Sequence, residues 1–399
     1  MTVREALADW LRPPRAHGDV IEDRTVSFLE LFYDLVFVVL IAQIAHALAA
    51  DVSWTGVRNF AVVFVLVWYA WLNGTLYHEV HGGEDGRSRT FIFLQMGLIA
   101  VMAVYAGHAA DEVADGRGFA IVYAILLLLL AFQWAGVIRH DNPAFRPIAR
   151  RYVGGMVVMA AAVAATALVD DTDLRVWLWL AIFGVTVLAT LQIVLSRNPL
   201  VEEANRPTES MSERFGLITI IMLGEVVVGV VDGLSELDER SALAIVTGMV
   251  SLAIGMGVWW NYFDFVGRRL PRPDTNVRAV WTQGHMVLGL SIAAAGAGMV
   301  SLVEHAGDAR TPVATAWLVS GSVSLLALIL AALVWTMEER PGRAMVPRLL
   351  VGTAVLALVV GALRPPPWLL ALLLYGALSV VWGDAFIRHA RSGERIAET

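Results

Sequence analysis

The 399-residue chain is 58% apolar and only 16% charged, with a mean hydropathy of +0.66, against about 25% charge in soluble domains. That composition cannot clothe a water-soluble globule, and it excludes a soluble enzyme or a nucleic-acid-binding module. The absence of cysteine removes disulfides, thiolate metal sites and thiol chemistry, while the net charge of −7 acquires meaning only when apportioned along the chain.

Residues 1–27 form a polar N-terminal segment in which Met1 to Leu11 can make a short amphipathic helix ended by Pro13 and Pro14. The segment is too polar for a signal peptide. Twelve apolar stretches follow, at roughly 29–50, 58–77, 90–109, 118–138, 151–169, 175–195, 213–231, 241–263, 278–303, 312–336, 346–363 and 367–387. Each is long enough to cross a hydrocarbon core of about 30 Å at 1.5 Å per residue. Residues 388–399 make a short charged tail. The expected fold is an all-α polytopic membrane protein with twelve transmembrane helices.

All 29 basic residues are arginine. Twenty-three of them fall in the N-terminus, in the loops after even-numbered helices and in the C-terminus, and the six alternate loops hold one each. The positive-inside rule then puts both termini in the cytoplasm.

Helices 7 to 12 can be laid over helices 1 to 6. Glu30 then falls on Glu213, Asn73 on Asn261, Gln95 on Gln283, and Pro143, Arg150, Gly154 and Trp177 on Pro341, Arg348, Gly352 and Trp368. The matches are polar, Pro, Gly or Trp positions, which overlapping runs of Leu and Val would not generate. They predict two parallel six-helix repeats, 28–200 and 201–387, related by an axis along the membrane normal because six crossings preserve orientation.

Charge inside a bilayer costs at least about 2.5–3.5 kcal/mol per residue on insertion scales, so the ionisable and amide residues within the spans are the candidate functional set. They are Asp34, Glu225, Glu30, His46, Gln43, Asn73, Gln95, Glu213, Arg214, Asn261, Gln283 and His285. Glu30 and Asp34 are four apart, on one face of helix 1, while Gln43 and His46 lie around the other side nearer its outer end. That pattern predicts a helix surrounded by protein. Glu225 lies about 18 Å along its helix from Glu213 at 1.5 Å per residue, deep in the bilayer, with Gly224 and Gly229 beside it allowing close helix approach. Arg214, at a helix start, can pair with Glu30 or Glu213. The concentration of these groups in helices 1–3 and 7–9 predicts that those six enclose a polar interior and that 4–6 and 10–12 face lipid.

No soluble-enzyme motif occurs: no Walker A loop, no His-Glu-x-x-His, no dinucleotide fingerprint and no Gly-x-Ser-x-Gly. The stretch from His78 through Val80, His81 and Gly83 to Asp85 reads as a wet, Gly-rich loop, not a metal site. No catalytic residue, metal or cofactor is expected.

Two segments carry a resemblance. Ser27-Phe-Leu-Glu-Leu-Phe-Tyr-Asp34, continuing to Gln43 and His46, resembles the opening helix of the bacterial low temperature requirement A (LtrA) family. Ser212-Glu-Arg-Phe-Gly-Leu-Ile-Thr-Ile-Ile-Met-Leu-Gly-Glu225 resembles its second signature. Where members tend to have a His shortly before the Glu-Arg-Phe-Gly run, this chain has Ser210, Met211 and Ser212. The resemblance implies an integral membrane protein linked by name to growth in the cold, with Glu30, Asp34, Gln43, His46, Glu213, Arg214 and Glu225 at signature positions, and it assigns them no chemistry.

Buried carboxylates and a duplicated fold together lead to an expected transporter or channel-like permease, with a polar pathway between the repeats and Asp34 and Glu225 as proton or cation sites. Its partners are the lipid bilayer and a proton, a cation or a small molecule; the oligomeric state is left open. Two other readings stay open: a membrane-embedded enzyme or lipid-binding protein acting on a hydrophobic substrate, and a regulatory or structural membrane protein of low-temperature growth.

Overall fold

The computed structural model describes residues 10, 13–17, 24–83, 85–195, 200, 207–267, 269–338 and 345–392. Apart from Trp10, the N-terminal amphipathic helix falls outside these residues, as does Pro341 of the repeat. Twelve long helices occupy the described chain: α1 (Phe28–Ala50), α2 (Trp54–His81), α3 (Gly86–Ala106), α4 (Val113–Ile138), α5 (Arg146–Thr166), α6 (Thr172–Leu195), α7 (Glu209–Ser235), α8 (Ala242–Phe265), α9 (Thr275–Glu304), α10 (Val313–Thr336), α11 (Met345–Leu363) and α12 (Pro367–Ser392). All twelve are long and apolar enough to cross a membrane. Among the described residues there is no strand beyond one isolated bridge between Pro271 and Met337.

Several helix starts are capped by polar side chains that satisfy the amide groups of the first turn. Asp85 accepts from the Ser88 amide at 2.9 Å, Ser241 from that of Ala244 at 3.1 Å, and Asp274 from those of Asn276 and Val277 at 2.9 and 3.2 Å. At the start of α1 the arrangement is a reciprocal capping box. The Glu30 amide donates to Ser27 Oγ at 3.2 Å, and the Ser27 amide donates to Glu30 Oε2 at 3.0 Å. Ser27→Ala is expected to cost about 1 kcal/mol of stability, read as a small drop in melting temperature of the detergent-solubilised protein; an unchanged melting temperature would contradict it.

The chain divides into two compact units, one of Met1–Ala47 with Arg58–Arg214, the other of Leu48–Val57 with Phe215–Thr399. In the first, α4 packs on both α3 and α5, and α5 on α6. In the second, α9, α10 and α11 pack in series, and α12 closes against both α11 and α8.

Burial does not follow polarity as expected. The most enclosed helices are α2 and α9, each with 83% of its apolar stretch buried, in line with the polar-interior reading. The next are α10 at 67% and α4 at 56%, ahead of α3 at 39% and α8 at 44%, so the assignment of helices 4 and 10 to the lipid is corrected. The reason is side-chain size. Ser320, Ser322 and Ser324 of α10 are buried, and a Cβ on Gly361 of α11 would strike Ser320. Small residues let helix backbones approach closely, a mode of burial that a search for polar residues passes over.

Candidate functional site

The first unit contains a cluster of charged side chains withdrawn from the surface. Asp34, one turn after Glu30 on α1, is fully buried. Its Oδ1 accepts from the indole Nε1 of Trp71 on α2 at 2.7 Å and from Arg214 Nη2 at 3.0 Å, and its Oδ2 lies 3.4 Å from Arg214 Nε. Arg214, in the first turns of α7, is also buried. Its Nη1 reaches Glu30 Oε1 at 3.4 Å, and its guanidinium lies over the Tyr33 ring. One planar cation thus spans two carboxylates on successive turns of α1, a geometry that suits guanidinium and not ammonium.

A second cation closes the other side. Arg24, in the non-helical stretch before α1, donates from Nη2 to Glu30 Oε1 at 2.6 Å and from Nη1 to Ser210 Oγ at 2.7 Å; the same Nη1 pairs with Glu79 of α2. Thr208 and Ser210 donate hydroxyl hydrogen bonds to Glu79 at 2.6 and 3.0 Å. Among the described residues, the ion pairs of the cluster join three carboxylates, Glu30, Asp34 and Glu79, to two guanidinium groups, Arg24 and Arg214.

From this cluster a hydrogen-bonded series runs into the helices behind it. Tyr33 Oη donates to Gln95 Oε1 at 2.9 Å, and Gln95 Nε2 to Gln133 Oε1 of α4 at 2.7 Å. All three are buried. Gly74 of α2 makes room for it, since a Cβ there would strike the Tyr33 hydroxyl and Gln95 Oε1. Beside Gly74, Asn73 donates to the Tyr69 carbonyl at 2.7 Å and accepts from Tyr152 Oη of α5.

In the second unit the deep carboxylate is differently placed. Glu225 is buried and has no side-chain hydrogen bond to any described residue. The acidic Asp232 is its charged neighbour. Helices α7 and α9 approach closely here: a Cβ on Gly229 would strike the Gly296 carbonyl, and one on Gly296 the Glu225 carbonyl. Gly233 faces Val300 one turn on. Gly224, expected to share in the approach, has open space around it. Elsewhere in this unit Asn261 donates to the carbonyls of Gly257 and Leu378 at 2.8 and 3.1 Å, and His285 bonds the Tyr262 hydroxyl at 3.0 Å and the Trp281 carbonyl at 2.8 Å. Gln283 is half-buried.

The sequence-predicted residues therefore separate. Glu30, Asp34 and Arg214 come together, with Gln95 joined to them through Tyr33. Arg214 pairs with Glu30 as expected, but its second carboxylate is Asp34. Glu213 instead sits exposed at the start of α7, 3.4 Å from the Val26 amide. Gln43 and His46 are exposed, which corrects the view of α1 as enclosed on both faces: the stripe of Phe32, Leu35, Val39, Gln43 and His46 is open, its residues spaced three or four apart. The wet loop at His78 is also corrected. His78, Glu79 and His81 belong to the last turns of α2, and both histidines are buried. The sequence reading missed Arg24, Trp71, Tyr33, Glu79 and Gln133. Only the Ser27-x-x-Glu30 cap and the adjacency of Glu79 to His78 were there to find.

A model of the family described as bacterial low temperature requirement A protein matches residues 25–382. The chain belongs to the LtrA family. The matched residues take in Glu30, Asp34, Glu79 and Arg214 and begin one residue after Arg24. An uncharacterized protein of Rhizobium meliloti (strain 1021) is 27% identical over 294 residues, which cover 69% of this chain and 68% of that protein. This LtrA chain is thus a family membrane protein of twelve apolar helices.

Proposed function

We propose that this LtrA chain is a transporter or channel-like permease of the bacterial cytoplasmic membrane, and that the Glu30, Asp34, Glu79, Arg24 and Arg214 cluster is its proton or cation site. The observation that carries this reading is the charge count among the described residues: three carboxylates pair with two guanidinium groups in an apolar helical unit. A purely structural network is stabilised most when its charges balance, because every uncompensated charge withdrawn from water costs several kcal/mol. An excess carboxylate is the arrangement that binds a further cation. Both termini are cytoplasmic in this reading, after the distribution of arginine. Two of the arginines in that count, Arg24 and Arg214, serve the cluster, and the alternation survives their removal.

The two-repeat organisation, 28–200 and 201–387, is part of the same proposal. It gains support from Asn73 and Asn261, matched in the sequence, which each donate to the carbonyl four residues earlier on their own helices, at 2.7 and 2.8 Å.

The test is flux. Purified protein in liposomes, under a potassium diffusion potential, is expected to admit protons or sodium faster than protein-free liposomes, as reported by an enclosed pH dye and by sodium tracer. Glu79→Gln, which removes the excess carboxylate, is expected to reduce that flux at least tenfold. Wild-type protein indistinguishable from empty liposomes for both ions would overturn the reading in favour of a structural network.

A further inference from the structure

Arg24 differs from every other charged member of the cluster in how it is held. Glu30, Asp34, Glu79 and Arg214 are all mounted on helices, whereas Arg24 lies in the non-helical stretch 24–27. Its guanidinium fills a cradle made of acceptors. Nη2 donates to Glu30 Oε1 at 2.6 Å and approaches the His78 carbonyl at 3.3 Å, and Nη1 donates to Ser210 Oγ at 2.7 Å and pairs with Glu79. One further acceptor-capable atom belongs to the same wall. His78, 2% exposed, faces Glu30, Arg24 and Arg214, and its Nε2 is enclosed with no hydrogen-bond partner among the described residues. Leaving a buried polar atom unpaired is energetically costly. Its presence beside two carboxylates marks a place built to meet more N–H groups than Arg24 delivers.

We propose that this cradle is the binding site for a cation bearing a guanidinium or primary ammonium group, and that Arg24 is a tethered occupant which such a cation displaces. The proposal rests on the reading of the cluster as the ion site and names the class of cation it takes. Several N–H donors on a compact positive charge match the acceptors present: carboxylates of Glu30 and Glu79, the Ser210 hydroxyl, the His78 carbonyl and the His78 imidazole nitrogen. A quaternary ammonium group has none of these donors. With Arg24 withdrawn, Glu30, Asp34 and Glu79 face Arg214 alone, and an entering cation restores the positive charge that Arg24 had supplied. A tethered competitor acts at an effective concentration of order mM, so the site in the intact chain favours ligands that are concentrated or that make contacts Arg24 does not.

The experiment is a binding titration of the purified full-length protein with methylguanidinium, read by tryptophan fluorescence and by melting temperature, with tetramethylammonium at equal ionic strength as control. Arg24→Ala removes the tethered competitor and is expected to bind methylguanidinium at least tenfold more tightly than wild type, with a concentration-dependent rise in melting temperature. Arg24→Ala combined with Glu79→Gln is expected to lose the effect. If Arg24→Ala does not yield folded protein, Arg24→Gln, which keeps the side-chain bulk without the charge, is titrated in its place. Equal affinity in wild type and the Arg24 variant, equal response to tetramethylammonium, or binding indifferent to Glu79→Gln would each overturn the proposal. Binding is measured here without flux. A protein that binds methylguanidinium in this manner yet moves no ion refutes the transport reading alone, and one that conducts ions without binding methylguanidinium refutes this inference alone.

Discussion

Replacing Arg214 with methionine is expected to destabilise the protein by about 3–5 kcal/mol, the cost of removing one partner from a buried ion pair. The magnitude follows from what is left behind. Asp34 is fully buried and paired to Arg214 Nη2 at 3.0 Å, and Trp71 supplies its remaining hydrogen bond. Methionine fills much of the volume but leaves two carboxylates one helical turn apart with Arg24 as their remaining counter-charge. The apparent melting temperature in detergent should fall by roughly 4–6 °C for a chain of this size. Arg214→Lys should recover only part of the loss, because an ammonium group cannot span Asp34 and Glu30 as the guanidinium fork does. The double variant Arg214→Met with Asp34→Asn should lose less than the sum of the two single changes, since the second substitution removes the charge that the first exposed. Additive losses, or an Arg214→Met protein as stable as wild type, would show that the pair does not hold the cluster together.

The crossing of α7 and α9 should respond to Gly229→Leu with a loss near the top of the range for overpacking, about 3 kcal/mol. Even a Cβ at Gly229 meets the Gly296 carbonyl, which is backbone and cannot rotate away. The helices must separate, and the neighbouring contact of Gly233 with Val300 goes with them. Gly224 supplies the control on the same helix. Nothing lies near the position of its Cβ, so Gly224→Leu should change stability by less than about 0.5 kcal/mol. The comparison is read from the yield of monodisperse protein and its melting temperature. Equal behaviour of the two variants would mean that the close approach does not set the spacing of these helices.

The twelve helices were legible in the sequence because crossing a hydrocarbon core imposes a length and a composition that single residues cannot disguise. Glu30, Asp34 and Arg214 were legible for the same reason in reverse: charge within an apolar run stands out. What could not be read was pairing. Glu79 follows His78 at the edge of an apolar stretch, where polar residues ordinarily meet water, and only the three-dimensional position of Arg24 turns it inward. Trp71 is one more aromatic residue in an apolar stretch, yet its indole hydrogen bond is spent on Asp34. Gln43 and His46 failed in the opposite sense. Polarity within a span suggested enclosure, but the face a residue occupies depends on which neighbours pack against its helix, and polarity alone does not name those neighbours.

The separation of Arg214 from Asp34 by 180 positions also orders events during synthesis. At about 5–20 residues per second, some 10–35 s pass between translation of α1 and the appearance of Arg214. Throughout that interval α1 carries two carboxylates whose principal counter-ion does not yet exist. Arg24, six positions from Glu30, is the one cluster cation already made, so it is the first to meet the carboxylates of α1, and Arg214 arrives as the last piece. A chain halted before α7 is therefore an electrostatically unfinished product, with Arg24 as the one cluster cation present to pair with Glu30.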